Sequence, residues 1–207
     1  MIFRFIVFII KEIGFKLDPF KIKKIVDTIF VFAEKNLVKL PGILPLYFSF
    51  YEDMINREID LAKITKKDKI LHVGSGCIPA TAILISRKTG AKVVSIDNNL
   101  KSIKNAQILI SKLKMDELIK IKNGESTSYP LGDFNIIIIS QGINPYKQTI
   151  KYLEKNMKKD SKIILRSSTL NDDLSDRDKI LKKYFIIENI KFHKSNGPLI
   201  SILLSKK

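Results

Sequence analysis

The sequence predicts an α/β domain: a seven-stranded, mostly parallel sheet closed by a C-terminal antiparallel hairpin, preceded by a small helical region. Three observations predict it. From about residue 66, short β-branched runs alternate with helical stretches, the pattern of parallel strands linked by crossover helices. The run Phe134-Asn-Ile-Ile-Ile-Ile-Ser140 is mostly β-branched and reads as a strand buried on both faces. The last two strand-like segments are joined only by Ser195-Asn-Gly-Pro198, too short for a crossover, so they pair as a hairpin.

Taken in order, residues 1–65 read as a helical accessory region and 66–207 as the sheet domain. Phe20, Ile22, Ile25, Val26, Ile29, Phe30, Phe32 and Ala33 recur at helical spacing, and Asp18-Pro19 supplies a start. Val38-Lys-Leu-Pro-Gly-Ile-Leu-Pro45 reads as a loop, because its prolines and glycine break regular helix. A further helix is expected from about Leu46 to Ala62. Strands are expected near 69–73, 92–96, 118–122, 134–139 and 161–166, then 185–193 and 199–205. A helix over Tyr146–Met157 lies between the fourth and fifth.

The apolar start Met1–Ile10 is stopped by Lys11-Glu12, short of the roughly 20 residues a spanning helix needs. It also lacks a small-residue cleavage site, so it reads as a buried or partner-facing helix. A homo-oligomer contact through the N-terminal helices, or a peripheral membrane contact, would use it. The formal net charge is +16. The excess is almost all lysine, spread over every segment without arginine–aromatic interleaving, which argues for a solvated surface and against nucleic-acid binding. One cysteine excludes an internal disulfide framework and fits a reducing, cytoplasmic compartment. With one Cys and two His, no metal cluster is visible. Cys77 reads as a small apolar filler.

The informative stretch is Ile70-Leu-His-Val-Gly74-Ser-Gly76-Cys-Ile-Pro79, followed by Val93-Val-Ser-Ile-Asp97. It reads as strand, glycine turn, helix and second strand with a terminal carboxylate. That order suits an adenosine-bearing cofactor at the carboxyl edge of a parallel sheet. Glycines let the backbone approach the ligand, and a carboxylate about 20 residues on accepts the ribose hydroxyls. Ile78-Pro79-Ala80 stands where a dinucleotide fold carries its third glycine, and proline removes an N–H that a pyrophosphate would want. The balance tilts to S-adenosylmethionine, which has no phosphate.

A seven-stranded sheet with such a hairpin resembles the Rossmann-like class I S-adenosylmethionine-dependent methyltransferase fold. More narrowly, Val73-Gly-Ser-Gly-Cys-Ile-Pro-Ala-Thr-Ala82 resembles the glycine-proline motif of nicotianamine synthases. Ile163-Ile-Leu-Arg-Ser167 is similar to that family's fifth strand, and Phe192-His193 with Ile200–Lys206 to its closing hairpin. Leu40-Pro41, Tyr47, Tyr51 and Glu58 fall where the family carries an aromatic segment and a glutamate. Cys77 and Ala80 depart from the motif. The resemblance implies transfer of a 3-amino-3-carboxypropyl group from S-adenosylmethionine to an amine or amino-acid acceptor. Methylthioadenosine would be released and a metallophore-type product made; the Cys and His content leads to no expectation of a metal in the protein. A methyltransferase acting on a small molecule or RNA is the alternative, and a binding module without turnover a third reading.

On this resemblance Gly74, Ser75 and Gly76 are expected against the methionine and ribose, and Asp97 on the ribose hydroxyls. Glu125 would reach the adenine amine, while Ser140 and Gln141 border the reaction centre. Glu58 would orient the attacking amine and accept its proton, with Tyr51, two turns away, in the same pocket. Arg166 would clamp a substrate carboxylate. His193 reads as a surface strand residue. Asn144-Pro145-Tyr146 is similar to the Asn-Pro-Pro-Tyr signature of amino-methyltransferases, but it lacks the second proline and reads as a turn into the next helix.

Overall fold

The computed structural model describes residues 43–168, 174–193 and 199–207. Its elements are α1 (Ile43–Ala62), β1 (Lys69–Val73), α2 (Ala80–Thr89), β2 (Lys92–Asp97), α3 (Leu100–Lys112), β3 (Ile119–Asn123) and β4 (Ile136–Ile139). Then come α4 (Tyr146–Asn156), β5 (Lys162–Ser168), α5 (Leu174–Tyr184), β6 (Phe185–Phe192) and β7 (Leu199–Lys206). The sheet order is β3-β2-β1-β4-β5-β7-β6, with β7 antiparallel to both β5 and β6. β1 to β5 pair in parallel. The helix expected over residues 20–33, the apolar start and the 195–198 connection lie outside the described residues.

One boundary differs. The segment expected to be loop through Pro45 is already helix from Ile43. Proline fits there because a first-turn residue has no intrahelical partner for its N–H. Elsewhere the caps are local. Asn99 accepts from the Ser102 N–H at 3.0 Å to start α3. Gly90, at φ 74°, ends α2 by donating to the Ser86 carbonyl.

The sheet separates two apolar layers. Ile136 and Ile138 of β4 join the layer under α1, α2 and α3, together with Met54, Ile55 and Ile83. Ile137 and Ile139 point the other way, toward Ile150 and Leu153 of α4 and Leu181 of α5. That explains a strand of four buried isoleucines, each contributing roughly 1.5–3 kcal/mol by burial.

The edge strand β6 carries a bulge. Ile187 pairs with Leu204 and Asn189 with Leu203, leaving Glu188 as the extra residue. Beyond it the alternation of faces is reversed. Phe192 stands opposite Ile200 on the α4–α5 side and is 64% exposed, so His193 takes the α1 side.

Candidate active site

β1 ends at Val73 and the chain turns at Gly74, φ 90°. A Cβ there would lie 3.0 Å from Ser140 Cβ, so the close approach of the β1 and β4 ends requires glycine. The Gly74 and Ser75 N–H groups donate to the Ile96 carbonyl at 2.8 and 3.0 Å. Gly76 N–H donates to Asp97 Oδ2 at 2.9 Å, and Asn99 N–H to Oδ1 at 2.9 Å. The half-buried Asp97 is thereby fixed beneath the turn, with further lone pairs on both oxygens for the two hydroxyls of a ribose. Gly124 N–H donates to the Asp97 carbonyl at 3.0 Å, bringing the exposed Glu125 beside this strand end. Gln141 is exposed just past Ser140. Gly74, Ser75, Gly76, Asp97 and Ser140 therefore gather at the carboxyl edge of β1, β2 and β4.

Below the turn runs a hydrogen-bond chain absent from the sequence reading. His72 Nδ1 lies 2.7 Å from Ser95 Oγ and its Nε2 2.9 Å from Ser140 Oγ. Ser140 Oγ donates to the Gly74 carbonyl at 3.1 Å, which uses its only proton. His72 must then donate from Nε2 to Ser140, and Ser95 must donate to Nδ1. Burial, reinforced by the charge of Arg166, holds the His72 pKa down at about 3, so the ring is neutral. A strand histidine at the alternation position of Ile70 was the available signal, since that face is buried.

Across the same sheet face, Arg166 and Glu58 form a buried ion pair. Arg166 Nε donates to Glu58 Oε1 at 2.8 Å and Nη2 to Oε2 at 2.7 Å, in fork geometry. Nη1 donates to Thr81 Oγ1 in the first turn of α2 at 2.9 Å. Burial alone would lower the guanidinium pKa, but the Glu58 carboxylate outweighs it and raises it. The fork expected to face a substrate carboxylate thus faces Glu58, leaving two of its five N–H groups uncommitted by these bonds. Glu58 is fully buried, not a surface carboxylate. Tyr51 is half-buried on the same helix, its hydroxyl 3.1 Å from that of Tyr47, and it adds slightly to the upward shift of the Arg166 pKa.

The expectation for His193 is overturned. It is 1% exposed, not a surface residue, because the bulge in β6 turns it inward. Its Nε2 is 2.8 Å from Ser201 Oγ, and Ser201 donates to Glu58 Oε1 at 2.6 Å. A carboxylate only accepts, so Ser201 spends its proton on Glu58 and His193 donates from Nε2; in the neutral ring Nδ1 then carries the lone pair. That Nδ1 is buried and has no hydrogen-bond partner among the described residues. Burial lowers the His193 pKa, Glu58 opposing and Arg166 assisting. Of the remaining motifs, Cys77 is buried with its Sγ 3.4 Å from Ser102 Oγ, and Pro145-Tyr146 opens α4.

Comparison with known proteins bears on this arrangement. L-histidine 2-aminobutanoyltransferase of Yersinia pestis is 25% identical over 122 residues, covering 58% of this chain and 45% of that protein. The Pseudomonas aeruginosa enzyme of the same name is 24% identical, and the chain covers 48% of it. The chain therefore spans about half the length of these curated relatives. MtNAS, in a glutamate-to-glutamine variant bound to S-adenosylmethionine, superimposes with a TM-score of 0.72. Identity there is 17%, with 84% of this chain and 70% of that one covered. MtNAS in complex with MTA and tNA gives the same TM-score, 0.72. These likenesses establish the S-adenosylmethionine-dependent transferase fold. The nicotianamine synthase protein model matches residues 24–188, from before α1 into β6, and the chain belongs to the nicotianamine synthase family.

Proposed function

We propose that this chain transfers the 3-amino-3-carboxypropyl group of S-adenosylmethionine to a small amine or amino-acid acceptor, releasing methylthioadenosine and building a metallophore-type product. Family membership over residues 24–188 carries the reading. The close-packed Gly74 turn and the fixed Asp97 carboxylate support it, because they suit a ribose and a phosphate-free chain.

The acceptor nitrogen's lone pair attacks the methylene carbon of the methionine chain that is bonded to sulfur. The carbon–sulfur bond breaks, its electron pair stays on sulfur as a neutral thioether, and the nitrogen sheds a proton. The sulfonium supplies the activation, so the chain's own residues supply position and a deprotonated amine. Asp97 holds the ribose hydroxyls, Gly74, Ser75 and Gly76 line the ribose and methionine, and Glu125 reaches the adenine amine. Ser140 and Gln141 border the reacting carbon. Arg166 offers its two remaining N–H groups to the acceptor carboxylate. Glu58 already takes two donors on Oε1 and one on Oε2, so the open lone pair of Oε2 meets the acceptor amine. Tyr51 lines the same side.

The free buried cysteine agrees with a cytoplasmic setting. No helix among the described residues is long and apolar enough to cross a membrane.

Incubating the protein with S-adenosylmethionine and a panel of amines tests the reading, with methylthioadenosine as the expected product. S-adenosylhomocysteine instead would establish methyl transfer, the reading favoured by the fold alone. Binding of S-adenosylmethionine with neither product would leave a binding module.

A further inference from the structure

Thr81, Arg166, Glu58, Ser201 and His193 form one line on a single sheet face, each contact 2.6–2.9 Å. It runs from the first turn of α2, just after the glycine motif, to the end of β6. Its proton order is fixed from the inside: Glu58 accepts from Ser201, and Ser201 accepts from His193. What remains at the outer end is the lone pair of His193 Nδ1, buried and without a partner among the described residues. Leaving such an acceptor unpaired forfeits its hydration with nothing in return. Glu58 and Arg166, from α1 and β5, face this ring, as do Asp53 and Arg57 of α1. Asp53 and Arg57 pair with each other at 3.0 Å, and Glu58 with Arg166, so among the described residues these four charges come in opposite pairs. The open group is a lone-pair acceptor beside paired charges, suited to an N–H donor.

We infer that His193 Nδ1 recognises a second N–H group of the acceptor, making His193 a specificity-determining residue for small amines or amino acids that carry two nitrogen donors. The inference rests on the transfer reaction proposed above. An acceptor lying along the line meets Arg166 with its carboxylate, Glu58 Oε2 with one nitrogen and His193 with the other.

Two variants separate recognition from scaffolding. In His193→Gln the side-chain amide can replace Nε2–H toward Ser201 but leaves no acceptor at the Nδ1 position. In His193→Asn the side-chain oxygen can replace Nδ1, while the contact to Ser201 is lost. Methylthioadenosine release is measured with L-2,4-diaminobutyrate and with L-2-aminobutyrate, which lacks the second amine. The native chain should prefer the diamine roughly ten- to hundredfold in kcat/KM. His193→Gln should bring that preference to within about twofold, and His193→Asn should keep it. A preference unchanged in His193→Gln, or absent from the native chain as a trapped water on Nδ1 would produce, overturns the inference. Affinity for S-adenosylmethionine, measured by calorimetry, should be the same in all three proteins. If no amine yields methylthioadenosine, the transfer reading has failed, and His193 is then judged by nitrogen NMR. Its Nδ1 resonance should move as L-2,4-diaminobutyrate is titrated in, and a stationary signal refutes the assignment.

Discussion

Asp97 is bound by two backbone donors, Gly76 and Asn99, before any ligand arrives. The carboxylate is therefore preorganised, and its charge strengthens every hydrogen bond it accepts. Asp97→Asn should weaken S-adenosylmethionine binding about ten- to hundredfold, since hydrogen bonds to a charged group are worth roughly 1.5–3 kcal/mol. Calorimetry checks it, with the Gly76 amide shift reporting whether the turn has moved. His72 makes a second prediction. Its pKa falls from 6.5 in the unfolded chain to about 3 in the fold. Below pH 6.5 the unfolded chain binds the proton and the native one does not. Its contribution to stability is thus complete above pH 6.5 and drains away as pH falls toward 3, by up to about 1.4 kcal/mol per pH unit. Comparing denaturant midpoints of the native protein and His72→Gln between pH 6 and 4 should show a shallower slope in the variant. At this scale Gly74, Ser75, Gly76 and Asp97 were legible, because a turn motif and a spacing define them. His72, Ser95, Thr81 and Ser201 were not, since each matters only through a partner tens of residues away.

Among elements, α1 is tied to the sheet by a buried polar contact as well as by its apolar layer. Glu58 on α1 meets Arg166 on β5 and Ser201 on β7, all buried. Removing one member of such a pair strands the other charge in a medium that cannot solvate it. Arg166→Met should destabilise the protein by about 3–5 kcal/mol, while the double variant Glu58→Leu with Arg166→Met should recover most of that loss in denaturant titrations. For the same reason, a loss of turnover in Glu58→Gln is interpretable only beside its unfolding curve. Strand and helix positions were readable from β-branched runs, as the isoleucines of β4 illustrate. The start of α1 was not, because Pro45 signals a break in a helix interior yet is at home in a first turn. The pairing of Glu58 with Arg166 was equally hidden. Each residue taken alone looked like a ligand for substrate, and only the packing of α1 across β5 and β7 made them partners.

The whole molecule divides its labour by sheet face. His72, Ser95, Ser140, Arg166, Ser201 and His193 share the side covered by α1 and α2, while the side under α4 and α5 is mostly apolar. The fold class was legible because strand alternation and the terminal hairpin are properties of sequence order alone. The position of His193 was not, since counting by twos along β6 fails at Glu188. That extra residue behaves like a shift of reading frame written into a strand. Excising one codon there would restore simple parity, exchanging the sides on which the phenylalanine and the imidazole project and unplugging the outer end of the polar line. Length variation at this spot would therefore retune acceptor choice without touching any residue of the donor pocket.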